Sequence, residues 1–202
     1  MSLYEYDLYL IREFDKGELV SEIVNSGFLQ PMDNEEGTII GQVNCFFSEG
    51  INREIPSCPL RIVKLELDDT QFETLLQSNG QAFISWMQDI VKENDIAYAF
   101  IGGGAAAAYY EEGRITSEMV FKQVGHLIET GTVEIVHPVM FFSERLGQGK
   151  TCNLAKGAPY TVYEIPGVGC LLLLVSIDNF GNNLEILDPG SIYPRLRDYF
   201  RQ

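Results

Sequence analysis

Apolar and polar residues alternate with a period of two in several early segments, and this period predicts β-strands with one buried face. Residues 3–12 show the pattern first, and it occurs again at residues 38–47 and 60–67. A shorter apolar segment at 96–101 predicts a fourth strand. Residues 30–37 combine a proline, a glycine and three acids without periodicity, which predicts an exposed loop.

Two other segments have the 3.6-residue period of amphipathic helices. The first contains Leu19 and Ile23 and is followed by Gly27, a suitable residue for the end of a helix. The second begins near Thr70, continues to about residue 93 and carries a long apolar stripe. Asn79-Gly80 lies inside it and predicts a division of this helix into two pieces, because both residues are poor helix formers.

The resulting order through residue 101 is strand, helix, strand, strand, helix, strand, which is the order of a ferredoxin-like unit. Further elements are a helix around residues 119–128, strands at 132–142, 160–164, 169–177 and 184–187, and a terminal helix at 192–200. The pattern predicts an α+β fold with a mixed, largely antiparallel sheet and helices on one face. We expect one domain over residues 1–202. An alternative division has a ferredoxin-like lobe at 1–104 and a β-rich lobe at 105–202.

Charge narrows the possible partners. The chain has 29 acidic and 14 basic residues, a net charge of −15. Nucleic-acid binding is disfavoured, because its affinity comes from Lys and Arg displacing counterions. Residues 1–100 carry 18 acids and 6 bases, so most of the negative field belongs to the N-terminal half. Such a surface attracts basic proteins, although it also serves simply to keep a protein soluble.

The strongest local excess of acid lies in residues 1–36, with nine acids and two bases. The predicted loop at its end contains Asp33, Glu35 and Glu36. We expect these three side chains to meet a basic protein, if the chain has such a partner, and to speed its association.

Two glycine-containing stretches are candidates for a small-molecule site. Gly102, Gly103 and Gly104 follow a predicted strand, and Gly102, Gly104 and Ala107 satisfy a dinucleotide-loop string. No long helix opens there to direct its N–H groups at a phosphate. Gly149, Lys150 and Thr151 resemble the end of a P-loop, yet Glu144 occupies the position of its first glycine. Close packing and a surface loop are the commoner explanations.

Few residues of the chain are suited to histidine-based catalysis or to metal binding. The two histidines, His126 and His137, allow a nucleophile pair with Cys152 only if the fold brings them together. The four cysteines have no metal-binding spacing, and we expect reduced thiols, no metal and no cofactor.

Together these features favour a non-enzymatic protein-binding module of inhibitor or immunity type for a basic partner. The alternative is a small-molecule or nucleotide-binding enzyme with its site near Gly102–Ala108 and Gly147–Cys152. The sequence contains neither a membrane-length apolar run nor a secretory signal pattern, so we expect a cytoplasmic protein that does not enter membranes. Partner identity and oligomeric state do not follow from the sequence.

Overall fold

The computed structural model describes residues 6–13, 17–34, 36–52, 60–102, 117–130, 137–147 and 161–174. These residues form nine strands and four helices. In chain order the elements are β1 Tyr6–Glu13, α1 Leu19–Asn25, β2 Leu29–Pro31, β3 Glu36–Ile39, β4 Val43–Asn52, β5 Leu60–Leu67, α2 Asp69–Glu93, β6 Tyr98–Gly102, α3 Ser117–Thr130, β7 Val139–Ser143, α4 Glu144–Gly147, β8 Thr161–Ile165 and β9 Gly169–Leu173.

All nine strands belong to one sheet in the order β2-β3-β4-β5-β1-β6-β7-β9-β8. Every neighbouring pair in it is antiparallel. The predicted α+β class with a largely antiparallel sheet is confirmed. Strands from both halves of the chain contribute, because β6 pairs directly with β7.

The predicted strand 3–12 corresponds to β1, and the predicted strand 38–47 corresponds to β3 and β4 together. The predicted strands 60–67 and 96–101 correspond to β5 and β6. All of them share this sheet, as predicted. The middle of the sheet has the order β4-β5-β1-β6, so β1 lies between β5 and β6. The ferredoxin-like assignment of residues 1–104 and the single domain over 1–202 stay predictions. The predicted strand at 184–187 and the terminal helix lie outside the described residues.

One face of the sheet, here called the first face, packs against α1 and α2. It carries Leu8, Leu10 and Leu65, which belong to one buried cluster with the apolar sides of both helices. Phe72 of α2 packs edge-on against Tyr6, and the Trp86 indole N–H donates to the Phe28 carbonyl (3.1 Å). The apolar stripe read from the sequence therefore faces the sheet, as predicted.

The opposite, second face is covered only in part by the described residues. Near β6 and β7 it carries a run of aromatic rings, in which Tyr9 stacks on Phe100. Helix α3 contacts this face, since the Gln123 amide lies 3.2 Å from the Tyr98 hydroxyl. The expectation of helices on one face thus holds for α1 and α2, whereas α3 reaches the other face.

The segment predicted as a loop at residues 30–37 instead contributes to a hairpin of β2 and β3. The predicted strand 38–47 is interrupted, because a turn at Ile40 and Gly41 separates β3 from β4. Both residues have positive φ, 44° and 69°. A β-branched residue rarely adopts that conformation, so the sequence carried no turn signal at Ile40.

Helix α2 is kinked where the sequence predicted a division. Asn79 has non-helical backbone angles, φ −156° and ψ 54°. Its side-chain oxygen accepts from the Ala82 N–H (3.3 Å), so Asn79 caps the second part of the helix.

The prediction of four reduced cysteines is wrong. Cys170 in β9 is disulfide-bonded, and its partner lies outside the described residues. Cys45 in β4 is a free, buried thiol. Sequence spacing could not reveal the bond, because disulfide pairing depends on distance in the fold.

None of the described helices is both long and apolar enough to cross a membrane.

Candidate partner-binding site

A row of directly opposed residues crosses four strands on the second face. Glu36 of β3 lies opposite Phe46 of β4, and Phe46 lies opposite Glu66 of β5. Glu66 in turn lies opposite Asp7 of β1. Directly opposed residues point to the same side of a sheet, so the strands place three carboxylates and one aromatic ring side by side.

Phe46 is the apolar residue of this row, and 56% of its surface is exposed. The neighbours of Phe46 along β4, Cys45 and Phe47, point to the first face and join the core. Met32, 45% exposed, is the other exposed large apolar residue of the described part of the chain. Its sulfur accepts from the Thr38 hydroxyl (3.0 Å), which places Met32 next to β3 on the second face.

A cleft of about 380 Å³ opens at this end of the sheet, where α2 begins. Among the described residues that line it, half are acidic and none is Lys or Arg. The lining residues are Tyr6, Asp7, Glu36, Asn44, Cys45, Phe46, Glu66, Leu67, Asp68 and Asp69. The cleft therefore offers a cation several acceptors around an aromatic ring.

Asp7 forms the buried part of the acidic row, with only 8% of its surface exposed. Burial raises its pKa from 3.8 to about 6, although the nearby Lys64 ammonium acts in the opposite direction. The Tyr9 hydroxyl donates to its carboxylate (3.2 Å). A further cation in the cleft would favour the charged form of this carboxyl.

One ammonium group serves two of these carboxylates. Lys64 Nζ lies 3.1 Å from Asp7 Oδ2 and 2.7 Å from Glu66 Oε1. Burial lowers the pKa of Lys64, but the hydrogen bond to Glu66 and the charge of Asp7 outweigh it and leave the pKa raised. Glu36 has no ion-pair or hydrogen-bond partner for its carboxylate among the described residues, so the row retains excess negative charge.

The other two acids of the cleft have structural roles. The Asp68 side chain accepts from the Gln71 N–H (2.9 Å) and caps α2. The Asp69 side chain accepts from the Tyr6 N–H (3.2 Å) and ties the start of β1 to the same helix. These bonds explain why two acids stand here without any ligand, and they leave Glu36 and Glu66 as the more available pair.

The three predicted partner-binding residues have different outcomes. Asp33 is exposed in the turn that follows β2. Glu35 lies outside the described residues. Glu36 lines the cleft and begins the cross-strand row. A partner-binding role for the three residues stays a prediction.

The predicted ligand-binding residues are not brought together by the described part of the chain. Gly102 ends β6 opposite Asp7, and Gly103, Gly104, Lys150 and Thr151 lie outside the described residues. Gly147 ends α4, which follows β7. Because β6 and β7 are antiparallel, Gly102 and Gly147 stand at opposite ends of these strands. The enzyme alternative with both loops at one site gains no support from this arrangement.

The histidines and cysteines show no catalytic pairing in the described region. His137 is fully buried and stacks on Phe100 with a centroid distance of 4.0 Å. Burial lowers its pKa to about 3, so the ring is neutral. Cys152 lies outside the described residues, and burial raises the pKa of Cys45 to about 11, which disfavours its thiolate. Among the described residues no group of His, Cys, Asp and Glu side chains is arranged to hold a metal ion.

A second charged cluster, at the other end of β1, is structural. Arg12 is 1% exposed, and its guanidinium donates to Glu22 (3.0 Å) and to the Gly17 carbonyl (2.9 Å). The hydrogen bond from Arg12 lowers the pKa of Glu22. Since this cluster already neutralises its own charge, we do not assign it a binding role.

Sequence reasoning missed Asp7, Phe46 and Glu66. The alternation in β1 and β5 did predict that Asp7 and Glu66 lie on the polar faces of their strands. No sequence signal aligns them with Glu36, because cross-strand register depends on how the strands pair.

No family model matches this chain, and no curated protein matches it in sequence. Among solved structures, it is similar to the Pseudomonas aeruginosa T6SS protein PA0821, with a TM-score of 0.47 and 11% identity over 85% of this chain and 68% of that one. A similarity this distant supports no assignment of fold or function.

Proposed function

We propose that this chain is a non-enzymatic protein-binding module that holds a basic surface of a partner protein in the acidic cleft of its N-terminal half. The observation that carries the proposal is the cross-strand row of Glu36, Phe46, Glu66 and Asp7, which borders a cleft whose described lining residues include five acids and neither Lys nor Arg. An inhibitor or immunity role is one concrete form of this function.

The charge balance of the row favours a cationic partner. Asp7 and Glu66 share the single Lys64 ammonium, and Glu36 has no cation beside it in the described structure. A positively charged group in the cleft would relieve this excess. An acidic partner would increase it, at a cost in binding free energy.

Charge reversal in the cleft tests the proposal. The variant Glu36→Lys with Glu66→Lys is compared with Asp89→Lys with Glu93→Lys, a control that changes net charge equally on exposed positions of α2. Each chain is immobilised as bait in an extract of the source cells at low salt. Retained proteins are then purified and tested by surface plasmon resonance at two ionic strengths.

We expect a basic protein on the wild-type and control baits that is absent from the cleft variant. Its association rate should fall by about tenfold or more with the cleft variant, and the salt dependence should flatten, because steering by rim charges acts mainly on association. Circular dichroism checks the folding of each bait. Equal retention by all three baits, or retention of acidic proteins, would contradict the proposal.

A further inference from the structure

We propose that the Phe46 ring, with Glu36 and Glu66 on its two sides, is the docking position for an arginine side chain of the partner. This inference rests on the proposed function and adds to it the residue type that is recognised and the apolar group that recognises it.

The register sets the geometry of this docking position. Phe46 is directly opposite Glu36 on one side and Glu66 on the other. Cβ atoms of directly opposed residues are roughly 4.5–5.5 Å apart, so carboxylates on both neighbouring strands can reach a group that lies on the ring. The exposure of Phe46, 56%, leaves the ring surface accessible.

The side chains around Phe46 are suited to a guanidinium group. A flat, weakly hydrated cation stacks on an aromatic face, while its N–H groups donate to carboxylates at the edge. Lys64 does not bridge Glu36 and Glu66 across the Phe46 ring. Its ammonium bonds Glu66 and Asp7 and leaves Glu36 without a cation among the described residues.

Other occupants of this face fit less well. A second copy of the chain would bring the same acidic row, and a net charge of −15, against the first. A purely apolar partner would leave the Glu36 carboxylate facing a surface that cannot donate to it. An arginine-bearing segment of a basic protein satisfies both the ring and the carboxylates.

Peptides of defined charge test the arginine proposal without the natural partner. The probe is a short peptide of alternating arginine and glycine with a neutral dye. Its control contains citrulline, which keeps the shape of arginine and lacks the charge. Binding is followed by fluorescence anisotropy with the wild type, with Phe46→Leu and with Phe46→Trp. Two more variants are Glu36→Gln with Glu66→Gln, and Asp89→Asn with Glu93→Gln as the matched control.

We expect the arginine peptide to bind and the citrulline peptide not to bind. Phe46→Leu should weaken binding by about two- to fivefold, the size of an exposed cation–π contact, whereas Phe46→Trp should preserve or strengthen it. Equal binding by wild type and Phe46→Leu, with weaker binding by the Glu36 and Glu66 variant, would overturn the arginine inference and leave the proposed function standing. Binding that neither set of variants changes would overturn both.

Discussion

Asp7 shows how one position combines fold and charge. It occupies a strand position whose neighbours, Tyr6 and Leu8, point into the core, and its own carboxylate is almost fully buried on the other face. Lys64 and Tyr9 stabilise the charged form, but burial outweighs them and the pKa is raised. Ionised Asp7 therefore costs stability in the free protein.

The pH dependence of stability tests this cost. With a folded pKa of about 6 and an ordinary value of 3.8, the folded state holds the proton more strongly. Stability from this group is therefore greatest at low pH and falls as pH rises from about 4 to about 6. The free energy of unfolding of Asp7→Asn, taken relative to that of the wild type, should be higher at pH 7.5 than at pH 4 by about 1–3 kcal/mol. Urea denaturation at the two pH values measures the difference, and a difference that does not vary with pH would contradict it.

Phe46 is the opposite case to the buried acid Asp7, because it is an apolar side chain that the fold exposes to solvent. Its strand neighbours Cys45 and Phe47 have the same apolar character but lie on the core face. The sequence alone shows three consecutive apolar residues and cannot say which one is exposed. Only the pairing of β4 with β3 and β5 assigns Phe46 to the open face and gives it acidic neighbours.

At the scale of elements, α2 connects the core to the cleft. Its apolar side packs on the first face, and its first turn supplies Asp68 and Asp69 at the rim of the cleft. The capping and backbone hydrogen bonds of these two acids fix the helix start against β1. The helix thus positions one wall of the candidate site.

The kink in α2 gives a prediction at this scale. Asn79→Ala removes the side-chain acceptor for the Ala82 N–H and should lower the free energy of unfolding by about 1 kcal/mol. Asn79→Asp keeps an oxygen acceptor and serves as the control. Its free energy of unfolding should change by only about a few tenths of a kcal/mol. Chemical denaturation of both variants decides the matter, and equal stability losses would show that the cap does not contribute.

At the scale of the whole molecule, the disulfide of Cys170 bears on where the protein resides. Disulfides persist in oxidising compartments and are rare in the cytosol, so the redox state of Cys170 in the purified protein tests the cytoplasmic location, which stays a prediction. Cys45 is free, and an internal disulfide of Cys170 would engage two of the four cysteines of the chain.

Thiol counting checks the bond directly. Protein that is denatured and alkylated without reductant should gain two adducts by intact mass, and prior reduction should raise the number to four. Reduction should also lower the thermal stability, because it releases a constraint on the unfolded chain worth about 2–4 kcal/mol. Four adducts without reductant would restore the original expectation of reduced cysteines.

The sequence by itself determined the α+β class, the strands β1 and β5, and the sheet-facing side of α2, because each depends on a local period of apolar residues. The acidic character of the N-terminal half was equally plain from composition. Tertiary structure alone decided that Glu36, Phe46, Glu66 and Asp7 form one row, and that Cys170 is oxidised. These features depend on strand register and on distances between remote segments, and a shift of one residue would send each side chain to the other face. A local pattern of apolar residues contains no information about the register or about these distances.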